Sequence, residues 1–168
     1  RCAEVAARLD VPVVVNVQGD EPAFEPADLA RLAEAAARPD VDVATLAHPI
    51  ADPDDAARPS VVKVVLRTDG TALYFSRAPI PFDRARGGAA LPALGHVGIY
   101  AFRRQRLLDY VRLPAGTLAG IESLEQLRAL EAGERIAVLP ATRPALGIDT
   151  PDDYARFVRG WRAGDLRT

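Results

Sequence analysis

Short apolar runs alternate along this chain with stretches whose apolar residues recur at every third or fourth position, a pattern that predicts strands separated by amphipathic helices. Arg1 to Leu9 carries a helical pattern. Val11 to Val17 follows as a nearly continuous β-branched run, which suits a strand buried on both faces of a parallel sheet and is expected at its centre. Pro26 stands where a first helical turn tolerates proline, and Leu29, Leu32, Ala33 and Ala36 then repeat at helical spacing until Arg38-Pro39 breaks the pattern. Val41 to Ala47 reads as the next strand. These segments form a strand, crossover helix and strand of the kind that builds parallel sheets.

The pattern then changes. Beyond an acidic stretch from Asp52 to Ala57, Val61 to Arg67 and Thr71 to Ser76 flank Asp69-Gly70, a dipeptide that tolerates the positive φ of a tight turn, and predict an antiparallel hairpin inserted in the α/β pattern. Ala78 to Leu94 contains Pro79, Pro81, Gly87, Gly88 and Pro92 and reads as a long irregular loop, a candidate lid. His96 to Phe102 reads as a strand, Leu107 to Val111 as a short helix, Ile121 to Ala132 as a longer helix closed by Gly133, and Ile136 to Leu139 as a strand. Thr150-Pro151-Asp152-Asp153 supplies a hydroxyl cap, a proline at the first helical position and two acids at the positive end of the dipole, opening a terminal helix through Trp161. With no linker, repeat or low-complexity tract, one domain over residues 1–168 is expected.

Composition narrows the function. The 168 residues carry a net charge of −2, are 49% apolar and contain no basic block, so sequence-wide nucleic-acid binding is a poor expectation. No apolar run approaches the ~20 residues of a membrane helix, so no membrane partner is expected. Lys63 is the single lysine among 21 basic residues, a bias that lowers the information in any one arginine. Cys2 is the only cysteine and His48 and His96 the only histidines, too few for a zinc site; the cysteine usage fits a reducing cytoplasm. There is no methionine, and Arg1 falls inside a helical pattern, so the chain reads as an N-terminally incomplete piece.

Three stretches could carry chemistry. Asn16-Val17-Gln18-Gly19-Asp20-Glu21-Pro22 is a polar, glycine-containing turn directly after the apolar run, where α/β sheets bind ligands. Gly19 permits close approach and Asp20 offers a carboxylate to a hard cation; an ordinary turn satisfying its own backbone is the competing reading. In Gly147-Ile148-Asp149-Thr150-Pro151, Asp149 either helps cap the last helix or shares one magnesium ion with Asp20. Arg77, His96, Tyr100, Glu125 and Gln126 form the third set. Arg77 could hold a carboxylate bidentately and the others could bond sugar hydroxyls, a combination suited to a polyol acid; each also has a structural explanation. No Gly-x-Ser-x-Gly hydrolase motif is present.

Five blocks in order, VNVQGDEP (Val15 to Pro22), ALYFSRAPIP (Ala72 to Pro81), HVGIY (His96 to Tyr100), LEQLR (Leu124 to Arg128) and GIDTPDD (Gly147 to Asp153), resemble the 3-deoxy-manno-octulosonate cytidylyltransferase family, the CMP-Kdo synthetases. The resemblance implies a mostly parallel, Rossmann-like nucleotidyltransferase sheet with helices on both faces, a hairpin used in dimerisation and hence a homodimer. It implies transfer of a cytidylyl group from CTP to the sugar acid Kdo, giving CMP-Kdo and pyrophosphate for lipopolysaccharide assembly, with Mg2+ required. By position it makes Asp20 and Asp149 catalytic metal ligands and places Gln18 and Gly19 near the nucleotide. Arg77, His96, Tyr100, Glu125 and Gln126 then form the Kdo pocket. The family's first strand and its basic, glycine-containing CTP loop have no counterpart here, so this polypeptide alone is expected not to turn over. The competing expectations are a cytidylyltransferase for another sugar acid, such as a sialic acid, and a catalytically silent dimerisation domain.

Overall fold

In the computed structural model, which describes residues 1–144, 147–148 and 150–164, the chain begins with α1 (Cys2–Ala6), β1 (Val13–Val17), α2 (Pro26–Ala37), β2 (Val43–Ile50) and α3 (Pro53–Ala57). The hairpin β3 (Lys63–Leu66) and β4 (Ala72–Ser76) comes next, then a small hairpin of β5 (Phe82–Asp83) and β6 (Gly88–Ala89), and then β7 (Ala93–Arg103). Helices α4 (Arg104–Tyr110), α5 (Thr117–Glu122) and α6 (Leu127–Glu131), strand β8 (Ile136–Pro140) and helix α7 (Pro151–Ala163) complete it.

The fold is α/β, but the sheet is not mostly parallel. Strand β7 runs antiparallel to β1, β2 and β3, β3 is antiparallel to β4, and among the described residues only β2 and β8 pair in parallel. The crossover unit β1-α2-β2 does keep its two strands pointing the same way; the long β7 lies between them, and turns what would be a parallel neighbour into two antiparallel ones. Among the described residues β1 pairs with β7 alone, so the apolar run is not central, and its five positions are all half-buried. On the edge of β7 opposite β2, β1 and β3 lie end to end: Val17 pairs with Ile99, and Lys63 with Gly95.

Local signals account for most boundaries. Pro26 occupies the start of α2, and Gly70 takes φ +82° at the β3–β4 turn, where Asp69 accepts from the Thr71 N–H and hydroxyl. Thr150 and Asp153 cap α7 reciprocally. The acidic stretch is a short helix because Asp52 accepts from the Asp54 N–H and Pro53 stands at its first position. The expected loop over 78–94 contains the β5–β6 hairpin. The expected helix over 121–132 is instead two helices, broken where Ser123 takes the left-handed conformation at φ +51°.

Helices cover both faces. On one, Leu32, Ala35 and Ala36 of α2 pack on Ala44, Leu46, Val97, Ile99 and Ala101; on the other, Ala3, Ala6, Leu107, Leu124 and Leu127 pack on Val43, Val64, Phe75, Phe102 and Ile136. Residues 96, 98, 100 and 102 of β7 face this second layer, by the two-residue period of a strand.

Candidate active site

A cleft of about 1020 Å³ opens on that second layer, and β7 forms its floor. His96 and Tyr100 stand in a row of rings that runs from Phe75 to Phe102, with centroids 5.0 Å (Phe75 to His96), 5.4 Å (His96 to Tyr100) and 6.4 Å (Tyr100 to Phe102) apart. Between them β7 bulges: Thr45 pairs with Tyr100 and Leu46 with Val97, leaving Gly98 and Ile99 without a partner on β2. The freed backbone groups are satisfied by side chains. The Thr45 hydroxyl lies 2.8 Å from the Ile99 carbonyl, and the Gly98 N–H donates to the Glu21 carboxylate at 3.0 Å. A Cβ on Gly98 would sit 2.1 Å from Gln18 Oε1, so the Gln18 amide lies in the space that the missing side chain leaves.

Arg77 forms one wall at the end of β4. Its Nε donates to the Glu122 carbonyl at 2.8 Å, Nη1 to the Pro59 carbonyl at 2.9 Å and Nη2 to the Ser123 carbonyl at 3.2 Å. Three of five guanidinium hydrogens are thereby fixed on neutral oxygens, and the other two have no partner among the described residues. The Glu122 carboxylate accepts from the Ser76 hydroxyl at 2.6 Å and from the Arg77 N–H at 2.9 Å, tying α5 to β4. Lys63, fully buried, donates to the carbonyls of Arg58 at 2.9 Å and Arg77 at 2.6 Å. The left-handed Ser123 turns its carbonyl toward Arg77 and sends the chain into Glu125 and Gln126, which both line the cleft. Those two residues lie in the break between α5 and α6, not on a continuous helix; Tyr110 donates to the Glu125 carbonyl at 2.7 Å, and Gln126 is buried.

The rim carries Asp20, and the segment 147–148 meets it there: the Ile148 N–H donates to the Asp20 carbonyl at 2.9 Å, and Gly147 lines the same cleft. Asp149 lies outside the described residues. The approach to that segment is anchored to α2. Buried Asp28 accepts from the Thr142 N–H at 2.9 Å and its hydroxyl at 2.6 Å, and Glu25 pairs with Arg143 at 2.6 Å. Gly19 is open, with nothing within 4 Å of where a Cβ would stand.

The electrostatics separate the groups by task. Burial pushes the His96 pKa down to about 3, so its ring is neutral. Burial, then the nearby Tyr110, Glu125, Glu21 and Asp20, raise that of Tyr100, which keeps its proton. Burial acts to raise the Glu122 pKa, but the bonds from Ser76, the Arg77 N–H and Tyr74 and the charge of Arg77 outweigh it, and the carboxyl ionises more readily than usual. Burial lowers that of Lys63.

The structure thus brings Gln18, Asp20, Arg77, His96, Tyr100, Glu125 and Gln126 to one cleft. The sequence reading missed Thr45, Glu21, Lys63 and Glu122, which act by holding others. Only Glu21 left a signal, its place within the VNVQGDEP block. Among the described residues no group of three or more His, Cys, Asp and Glu clusters as a metal site. The rim offers carboxylate and carbonyl oxygens, a donor set that fits a hard divalent cation completing its shell with phosphates and water. No helix among the described residues is long and apolar enough to cross a membrane.

The cytidylyltransferase family pattern matches residues 1–136. The 3-deoxy-manno-octulosonate cytidylyltransferase of Solibacter usitatus (strain Ellin6076) is 47% identical over 168 residues, covering 99% of this chain and 66% of that protein. That of Anaeromyxobacter sp. (strain Fw109-5) is 51% identical over 158 residues, covering 93% and 64%. The structure of a CMP:2-keto-3-deoxy-manno-octonic acid synthetase complexed with CTP superposes with a TM-score of 0.84 at 42% identity, covering 98% of this chain and 67% of that one. The chain therefore spans about two thirds of the length of the curated relatives it matches.

Proposed function

The chain belongs to the cytidylyltransferase family, and on that footing we propose that the protein containing it transfers a cytidylyl group from CTP to 3-deoxy-manno-octulosonate, releasing pyrophosphate. The observation that carries this reading is the convergence of an acid-binding wall and an oxygen-rich rim on one cleft: Arg77 with two unused N–H groups, and Asp20 bonded to the segment that leads directly into position 149.

In this reading Arg77 pairs with the carboxylate of the sugar acid, while His96, Tyr100, Glu125 and Gln126 bond its hydroxyls and fix its orientation. Gln18 and Gly19 lie beside the nucleotide. Asp20 and Asp149 would hold Mg2+, which when bound neutralises triphosphate charge and favours ionisation of the attacking hydroxyl. The anomeric oxygen then forms its bond to the α-phosphorus as the bond to pyrophosphate breaks. Tyr100 keeps its proton, and burial leaves His96 too weak a base to take one from the substrate, so positioning supplies most of the acceleration. A homodimer, a cytosolic setting and a role in lipopolysaccharide assembly belong to the same proposal.

Magnesium-dependent pyrophosphate release from CTP and Kdo, assayed on the protein that contains this chain, tests the reading. Asp20→Ala and Asp149→Ala should each lower kcat by at least about a hundredfold with the fold intact. Turnover unchanged by either substitution would overturn it, and a preference for a sialic acid over Kdo would reassign the substrate.

A further inference from the structure

Thr45 is fully buried on β2, and its one hydroxyl meets three neighbours: the Ile99 carbonyl at 2.8 Å, the Val97 carbonyl at 3.3 Å and His96 Nε2 at 2.9 Å. A carbonyl only accepts, so the single hydroxyl proton lies toward Ile99, the closer of the two. The hydroxyl lone pairs are then what faces Nε2, and that nitrogen carries a hydrogen. The reverse arrangement, with Thr45 donating to a bare Nε2, would press its oxygen against two carbonyl oxygens in the core with no proton between them.

A neutral imidazole holds one N–H. With that hydrogen on Nε2, Nδ1 is a bare acceptor, and among the described residues no group donates to it. The β7 bulge is what allows this geometry, because it brings the carbonyl of the unpaired Ile99 and the ring of His96 to the same hydroxyl.

We propose that Thr45 is a positioning residue that locks His96 as its Nε2–H tautomer, so that Nδ1 presents the cleft with an acceptor for a hydroxyl of the sugar acid and turns its carboxylate away. Which ligand reads that acceptor rests on the function proposed above; the tautomer does not. A bare acceptor opposes a carboxylate and welcomes an O–H, so His96 and Arg77 select opposite ends of the molecule and fix which way round it binds. The role is one of orientation, and the reacting atoms are not touched.

Comparison with His96→Asn assigns the His96 imidazole in the protein that contains this chain. Long-range 1H–15N correlation of that labelled protein should show His96 with a protonated Nε2 and an unprotonated Nδ1 near pH 7. Thr45→Ser should keep that pattern, and Thr45→Val should lose it. A proton on Nδ1 in the parent chain overturns the proposal, as does an unchanged pattern in Thr45→Val; if Thr45→Val fails to fold, the parent and Thr45→Ser spectra still decide. In turnover assays Thr45→Val should raise KM for Kdo about tenfold with kcat within about twofold, and Thr45→Ser should restore it. A shifted tautomer with KM unchanged would leave Thr45 in control of the ring and refute His96 as a reader of the sugar.

Discussion

Arg77 and Glu122 hold each other through two bonds that alternate backbone and side chain: the Arg77 N–H donates to the Glu122 carboxylate at 2.9 Å, and the Arg77 Nε donates to the Glu122 carbonyl at 2.8 Å. The guanidinium is fixed in direction without its charge being neutralised at close range. Its remaining N–H groups therefore stay available to an anion in the cleft.

Glu122→Ala should release that grip. Affinity for the sugar acid is expected to fall about tenfold or more, read as a rise in KM for Kdo, while KM for CTP changes little. Glu122→Gln, which keeps one carbonyl-type acceptor, should lie between the two. Equal effects on both substrates would show that Glu122 only maintains the fold.

His96 gives a pH signature. In the unfolded chain it takes up a proton near pH 6.5, whereas in the fold burial delays protonation to about pH 3. Its contribution is therefore complete above about pH 6.5 and is lost as pH falls toward 3, with a slope of at most ~1.4 kcal/mol per pH unit. Burial lowers the pKa of His48 too, in the same direction, so the difference between parent and His96→Asn is the quantity to follow by urea unfolding between pH 7 and 5. Parallel curves for the two would refute the buried neutral ring.

Gly98→Ala places a methyl group where the Gln18 amide lies. Because that amide is the movable end of a long side chain, stability should fall by only ~1 kcal/mol while substrate affinity drops, and thermal denaturation beside binding assays separates the two. A loss of several kcal/mol would mean that the bulge itself cannot accept a Cβ.

Lys63→Met should destabilise the chain by ~2 kcal/mol in urea unfolding, since it leaves the Arg58 and Arg77 carbonyls without their donor while sparing the burial of a charge. Stability equal to the parent would mean that water replaces the amine at both carbonyls.

Much of the architecture was legible because local chemistry decided it. Pro26, Asp69-Gly70 and Thr150 to Asp153 mark their boundaries within the segments that use them. The strand order was not legible. Val11 to Val17 reads as central by its apolar run, yet its neighbour is β7, more than eighty residues later in the chain, and no local pattern encodes that pairing. The break at Ser123 escaped for a similar reason: the helical spacing continues through it, and its left-handed backbone is held by contacts to Arg77 and the Leu124 N–H bond to Ala119. The residues lining the cleft were legible as polar groups at element ends. Thr45 and Glu122, which only orient others, look in sequence like any strand threonine or helix glutamate.

The end-to-end placement of β1 and β3 on one edge of β7 has a consequence for how this cleft could evolve or be redesigned. Past Val17 and before Lys63 the two chains part, each leaving by one last bond, Gln18 N–H to Gly98 and His96 N–H to Val62. Gln18, Val62, His96 and Gly98 at this fork line the cleft, whose width there depends on where two strands stop. Lengthening either by a single paired residue would advance it ~3.3 Å along β7 and zip the fork shut. Insertions at this seam should therefore abolish binding while leaving the fold intact, whereas insertions at the distant Asp69-Gly70 turn should be accepted.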